Sequence, residues 1–389
     1  MSSENSNPAE ETGLQFHPGS GVARLPNYGT PALSEIINRS LVHIQTSKAL
    51  GMLHRIGEHE LHGPDYRLVC AWAEELRKMP EEVLDFLLKE VPDVGWQTEL
   101  VRGRFKSIQI DRTFLCVGGL PSIEGLVLEN LGLFGHYSYD DLKLEILELD
   151  LSAVPSLKKL HCDSNRLTKL DLSGVPKLSE LTCYDNQLSE LDLSSVPDLT
   201  RLGCAMNPLA KLDLSAVPNL TKLSCGDENE LAVLDLSGVP NLRELSCYWS
   251  GRVSLDLSPV PNLTQLNCGR NFLSWLDLSA VPNLRKLYCG DNELTKLDLS
   301  AVPNLTILYC HDNQLAELDL SAVPKLTELE CRCNHLAKLD LSAVPNLTEL
   351  ACYHNHLTEL DVSVLPNLTS FSYDRNSTRL IQRPDQHFQ

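Results

Sequence analysis

Ten cysteines stand in register along this 389-residue chain: Cys162, Cys183, Cys204, Cys225, Cys247, Cys268, Cys289, Cys310, Cys331 and Cys352. Every interval is 21 residues except the 22 between Cys225 and Cys247, and the next slot holds Tyr373. Eleven Leu-Asp segments keep the same period, from Leu149-Asp150 to Leu360-Asp361, as do eleven prolines from Pro155 to Pro366. A representative unit, Leu284 to Asn304, reads LRKLYCGDNELTKLDLSAVPN. A fixed period of this length means one unit stacked on copies of itself, because a single unit cannot bury its own apolar face.

Each unit is two half-turns of one plan, L-x-x-L-x-C-x-x-N-x followed by L-x-x-L-D-L-S-x-V-P-x. In L-x-C and L-D-L alternate side chains point the same way, which is strand periodicity. The spacing therefore predicts two inward-facing strands per coil, with turns at Asn and at Val-Pro. Eleven coils at roughly 4.7 Å each make a rod about 50 Å long.

The pattern resembles the leucine-rich repeat, L-x-x-L-x-L-x-x-N-x-L, with Cys at the third apolar slot. The 21-residue nested form with L-D-L is similar to a short bacterial subclass of that family. The resemblance runs from near Leu144 to near Asn376 and implies a parallel β solenoid that binds other macromolecules, usually proteins. The expected fold is thus a repeat solenoid, a parallel β leucine-rich-repeat rod with little helix, preceded by a small all-α domain. Residues 1–30 read as a disordered arm, 31–95 as the helical domain, 96–145 as degenerate capping repeats, 146–376 as the solenoid and 377–389 as a loose tail.

The helical expectation rests on apolar spacing. Leu33, Ile36, Ile37, Leu41, Ile44, Leu50, Leu53 and Ile56 recur at helical intervals up to Leu61. Tyr66 to Met79 and a segment from Pro80 form two more helices, with Val69, Ala73 and Leu76 on one face of the first. The pair faintly resembles a helix-turn-helix, but eight acids against four bases between Pro64 and Asp93 argue against DNA. In 96–145, Phe105-x-x-Ile108-x-Ile110 and Ile123-x-x-Leu126-x-Leu128 fit the half-repeat. The array itself breaks plan once: Cys225-Gly-Asp-Glu-Asn229 carries an extra residue, and the coil after Cys247 lacks both its Asn and the Leu that should follow.

Composition removes several functions. With 52 acids against 33 bases the formal net charge is −19, which disfavours nucleic acid and favours a basic protein partner. No run of about 18 apolar residues is present, so no spanning helix is expected. The N-terminus has no secretory pattern, and thirteen cysteines then fit a reducing, cytoplasmic setting. The cysteine column reads as small buried hydrophobes. No phosphate loop, nucleotide fingerprint, nucleophile elbow or H-E-x-x-H occurs, so neither enzyme activity nor a cofactor is expected. Cys333, His354, His335, His356 and His311 share one region, but no C-x-x-C pair supports a metal site.

Specificity is expected on outward positions beside the cysteines, which vary from coil to coil. These are Tyr288 and Tyr309 before the Cys, and Tyr184, Tyr248, His311, Arg332 and Tyr353 after it. Trp249, Asp291, Asp312 and His354 follow one position further on. Exposed Tyr, Trp and Arg are enriched where partners dock. The reading is a non-enzymatic protein-binding scaffold, with the surface concentrated between Tyr288 and His354. The alternative is a bacterial effector acting on a host protein, delivered without a classical signal peptide. Some such effectors carry a ubiquitin-ligase domain after the repeats, where this sequence has about a dozen residues.

Overall fold

One short strand per coil, all facing the same way, builds the molecule. The structure, a computed structural model, describes residues 151–386 apart from Ala153, Glu228, Glu230 and Ala232. Before them it describes Val69, Leu149 and five strands. These are β1 (Leu53–Ile56), β2 (His59–His62), β3 (Glu99–Val101), β4 (Arg104–Ile110) and β5 (Asn130–Leu133). The coils contribute β6 (Lys159–His161), β7 (Glu180–Thr182), β8 (Arg201–Gly203), β9 (Lys222–Ser224) and β10 (Glu244–Ser246). They continue through β11 (Gln265–Asn267), β12 (Lys286–Tyr288), β13 (Ile307–Tyr309), β14 (Glu328–Glu330) and β15 (Glu349–Ala351). Last come β16 (Glu359–Asp361), β17 (Ser370–Ser372) and β18 (Arg379–Ile381). Strands β4 to β15 and β17 form one parallel sheet in chain order, with β3 added antiparallel at its end. Register is strict: Leu287 lies beside Leu266 on one side and Leu308 on the other.

The expected second strand forms only in the last of the described coils, where L-D-L is β16. After L-D-L the chain makes consecutive tight turns, with Val302 N–H donating to Leu299 O at 3.0 Å and Leu305 N–H to Val302 O at 3.1 Å. Those turns satisfy backbone groups within the coil, so no ladder to the neighbour is needed. Proline fixes its own φ and keeps the preceding Val extended, which suits this corner. Across the corner the Thr column ties coils together, as where Thr327 Oγ1 donates to Thr306 O at 3.0 Å.

The other corner is built on asparagine. Asn292 is buried; its Nδ2 donates to Cys268 O of the previous coil at 3.1 Å, to Cys289 O at 3.1 Å and to Gly290 O at 3.2 Å. Its Oδ1 accepts the Leu273 N–H at 3.0 Å. In the regular coils the residue before the Asn is left-handed, from Ser164 at φ 55° to His354 at 55°, and in the coil with the extra residue Asp227 takes that conformation. Inside, the Leu, Val and Cys columns are buried, with the Leu column interrupted at Arg252. The ten column cysteines are free thiols, and burial pushes them up, Cys247 to about 11.

The irregular coils keep this plan by substitution. Gly226 is obligatory beside the extra residue, since a Cβ there would lie 2.0 Å from Tyr248 O. Ser250 stands in for Asn, its Oγ donating to Cys247 O at 2.6 Å and its N–H to Asn271 Oδ1 at 3.1 Å. Arg252 occupies the missing Leu position, 5% exposed, with Nε and Nη2 lacking hydrogen-bond partners. A buried guanidinium so poorly served costs stability. Arg252→Leu is expected to raise the unfolding free energy by about 2 kcal/mol. A urea midpoint at or below that of the parent chain would contradict this.

Two expectations are corrected. The helix expected through Leu61 gives way to an antiparallel hairpin pairing Ile56 with His59 and Leu53 with His62. Only two residues separate the strands in the sequence, and one of them is Gly, which a helical pattern tolerates poorly. Other helical expectations lie outside the described residues, except at Val69, which is helical and buried. The half-repeat read from Ile123 to Leu128 lies outside the described residues, and next to it β5 sets Leu131 beside Leu160. The tail is a cap: β18 pairs with β16, and Gln386 Nε2 donates to Val362 O at 3.0 Å and Leu365 O at 2.9 Å. The last described turns take their hydrogen bonds from this segment rather than from another coil. Among the described residues no helix is long and apolar enough to cross a membrane.

Candidate functional site

On the coil strands β9 to β15 the middle residue is buried in the core and its two neighbours face outward. Tyr288 and Tyr309 share one outward column and meet edge to face, ring centroids 5.2 Å apart. The Tyr309 hydroxyl donates to Glu328 Oε2 at 2.9 Å. Burial and this carboxylate push the Tyr309 phenol up to about 12.

A continuous chain of contacts runs beside this pair. Arg270 lies over the rings of Tyr248 and Trp249, 5.6 and 5.9 Å from their centroids, and its Nε is 3.8 Å from Asp291 Oδ2. His311 follows, with Nε2 3.6 Å from Asp291 Oδ2 and Nδ1 3.6 Å from Glu330 Oε2. Its ring covers Gly290, where a Cβ would sit 2.5 Å from Cε1. Arg332 donates through Nε to Glu330 Oε1 at 2.7 Å, pairs through Nη1 with Asp312, and lies 5.9 Å over Tyr353. Tyr353 in turn meets His354 edge to face at 5.1 Å. Arginine suits this place because its planar fork can pair and stack at once.

The structure thus joins Tyr248, Trp249, Asp291, His311, Asp312, Arg332, Tyr353 and His354 in one network, with Tyr288 and Tyr309 beside it. Every one of them is at least partly exposed. Tyr184 stands apart, lining a shallow depression of about 240 Å³ with Glu180, Arg201, Lys222 and Glu244 over a floor that includes Gly203 and Ser224. Charges there are already paired: Lys159 Nζ lies 3.0 Å from Glu180, and Lys222 Nζ 2.6 Å from Glu244. Sequence reading missed Arg270, Glu328 and Glu330, which hold the network together. Glu328 and Glu330 were detectable as the outward neighbours of inward Leu329.

The metal-capable residues do not converge. Cys333 receives Arg332 Nη1 at 3.7 Å, and His335 and His356 stack at 5.6 Å. Among the described residues no three His, Cys, Asp or Glu side chains gather where they could hold an ion.

Known proteins share this architecture. The family model for leucine-rich repeats (2 copies) matches residues 282–322. The functional domain of InlJ from Listeria monocytogenes, described as including a cysteine ladder, is 38% identical with a TM-score of 0.57. That match covers 59% of this chain and 51% of the InlJ chain, so this chain spans about half the length of that relative. The internalin InlF of the same organism superposes with a TM-score of 0.60 at 22% identity, over 82% of this chain and 90% of its own. YopM from Yersinia enterocolitica gives 0.51 at 26% identity, over 81% and 72%. No curated protein sequence matches the chain. The solenoid is a leucine-rich-repeat array of short, 21-residue coils, similar to those of the bacterial internalins.

Proposed function

We propose that the strand face between Tyr288 and His354 docks a protein partner and that the chain works as a non-enzymatic scaffold. One observation carries this reading: the aromatic and charged groups there are already held in place by one another across several coils. A partner meeting such a face orders few side chains, which keeps the entropic cost of association low. Solenoids of this architecture present their outward sheet face in this way, and the fold alone does not choose the partner. Carboxylates outnumber cations around the network, with Glu328, Glu330, Glu349, Asp291 and Asp312 against Lys286, Arg332 and Arg270. The partner's complementary surface is therefore basic, and binding weakens with added salt.

The test compares affinity capture from the source cell by the wild-type chain and by a Tyr288→Ala/Tyr309→Ala/Tyr353→Ala variant of unchanged melting temperature. Three central aromatics together are expected to weaken capture by a hundredfold or more, at roughly 1–2 kcal/mol each. Equal recovery of the same protein by both chains would refute docking on this face.

A further inference from the structure

Where the array departs from its plan, its surface changes as well. On the flank that leads from the Asn corner to the Asp column, the outward position two before Asp is Lys169, Glu190 and Lys211 in early coils. It becomes Val233, Ser254 and Trp275, then returns to Lys296, Glu317 and Lys338. Val253 and Phe272 join them, at positions that are Thr295 and Glu293 in the next regular coil. Val233, Val253, Phe272, Trp275 and Trp249 are 51–78% exposed. Among the described residues the one other large exposed apolar side chain is Val364, at 36%. These coils are in direct contact, since the Phe272 N–H donates to Arg252 O at 2.8 Å and the Trp249 N–H to Gly269 O at 3.0 Å. With about 4.8 Å between coils, Val233, Val253, Phe272 and Trp275 lie on one flank of three successive turns, and Trp249 stands at the corner beside them.

The edges of the strip select its occupant. Asp235, Asp256 and Asp277 run alongside, two residues beyond Val233, Ser254 and Trp275 and on the same outward side. Each accepts the N–H of the Ser two residues on at 2.9 Å, which leaves the second oxygen toward solvent. Hydrogen bonds from that Ser hold all three carboxyls below their ordinary range, so they are charged at neutral pH. Across these three coils the column two before Asp carries no cation, and Lys211 and Lys296 stand one coil to either side of it. An apolar strip of this kind on a polar rod marks an interaction surface. A second copy of the chain is disfavoured, because it would bring one Asp ladder against another. An anionic lipid surface is disfavoured for the same reason.

We infer that this flank is a second docking surface and that it takes a basic amphipathic segment of a partner protein. The apolar side chains of that segment cover Val253, Phe272 and Trp275. Its Lys and Arg stems cross the indoles, where the ring faces attract cations, and their heads reach Asp256 and Asp277.

Two synthetic amphipathic peptides of about 18 residues with one Leu pattern, carrying Lys or Glu at the polar positions, test this on the full chain. Labelled peptide is titrated with protein and followed by fluorescence anisotropy. The Lys peptide is expected to bind at least tenfold tighter than the Glu peptide. Phe272→Gln/Trp275→Ser is expected to weaken it tenfold or more, and Asp256→Asn/Asp277→Asn to weaken it severalfold and flatten its salt dependence. The Tyr288→Ala/Tyr309→Ala/Tyr353→Ala variant is expected to bind it unchanged, which separates this surface from the strand face. Binding indifferent to Phe272 and Trp275, or equal binding of the Glu peptide, would overturn the inference. So would sedimentation showing a dimer that the Trp275→Ser change dissolves.

Discussion

Asn313→Ala is expected to lower the unfolding free energy by about 3–4 kcal/mol, the largest loss from any single outward-corner substitution in the array. Asn313 Nδ2 donates to Cys289 O at 3.0 Å, Cys310 O at 3.2 Å and His311 O at 3.1 Å, while its Oδ1 accepts the Leu294 N–H at 2.9 Å. Alanine leaves a buried N–H and carbonyls of two coils without their partner, and each orphaned group costs about 1–3 kcal/mol. The loss is local in origin, because each coil touches only its neighbours. Urea unfolding followed by circular dichroism reads it directly. A change under about 1 kcal/mol would mean that water replaces the side chain, and that the Asn corner does not set coil stacking. In the irregular coil Ser250 keeps one of the Asn hydrogen bonds, the one to its own coil's Cys247 O at 2.6 Å.

The second large effect is a pH dependence hidden by compensation. Thr182 Oγ1 lies 2.8 Å from both His161 Nδ1 and Asp163 Oδ2, and the Tyr184 N–H donates to Asp163 Oδ1 at 3.1 Å. One hydroxyl proton serves one neighbour, so the other hydrogen bond draws on a proton of Asp163 or His161. Burial dominates both groups, pushing Asp163 up to about 7 and His161 down to about 4. The folded pair is thus neutral near pH 5.5, whereas the unfolded pair is an aspartate and an imidazolium. Between about pH 4 and about pH 6.5 the folded chain holds the Asp163 proton that the unfolded chain has lost, which lowers stability as pH rises. Over the same window the unfolded chain holds the His161 proton that the folded chain has lost, which raises it. The two slopes are each roughly 1.4 kcal/mol per pH unit and cancel.

Removing one partner exposes the other. His161→Gln is expected to lose about 3 kcal/mol relative to wild type between about pH 4 and about pH 6.5. Asp163→Asn is expected to gain about as much over the same range. Unfolding free energies at several pH values, taken as differences from wild type, remove the contribution of every other group. Parallel curves for all three chains would show that the two side chains titrate alike in both states.

Much of the fold could be read from the sequence because burial and spacing coincide at Leu287, Cys289 and their counterparts. L-D-L carries the same alternation as L-x-C, yet it pairs with no neighbour in the regular coils. The difference lies in turn hydrogen bonds such as Val302 to Leu299, which periodicity does not encode. The hairpin at Leu53–His62 was misread because Leu53 and Ile56 stand three apart, a helical interval, while the strand pairing of Ile56 with His59 is not a local signal. The cap built by Gln386 depends on one amide reaching two carbonyls more than twenty residues earlier, which no local pattern announces. At the candidate site, outward positions were readable from the strand period. The links Asp291–His311–Glu330–Arg332 were not, since they depend on side chains leaning across coils. The irregular coils were visible as a break in the repeat, but the exposure of Val233, Phe272 and Trp275 needed the folded surface.

Hydrogen exchange on the full chain, alone and saturated with the partner recovered by capture, tests the central claim most directly. The account predicts slowed exchange confined to β12–β15 and to the turns from Gly290 to His354, with the flank and early coils unchanged. Protection that falls on 159–224, or on the hairpin at Leu53–His62, with none over β12–β15, would contradict docking on the Tyr288–His354 face.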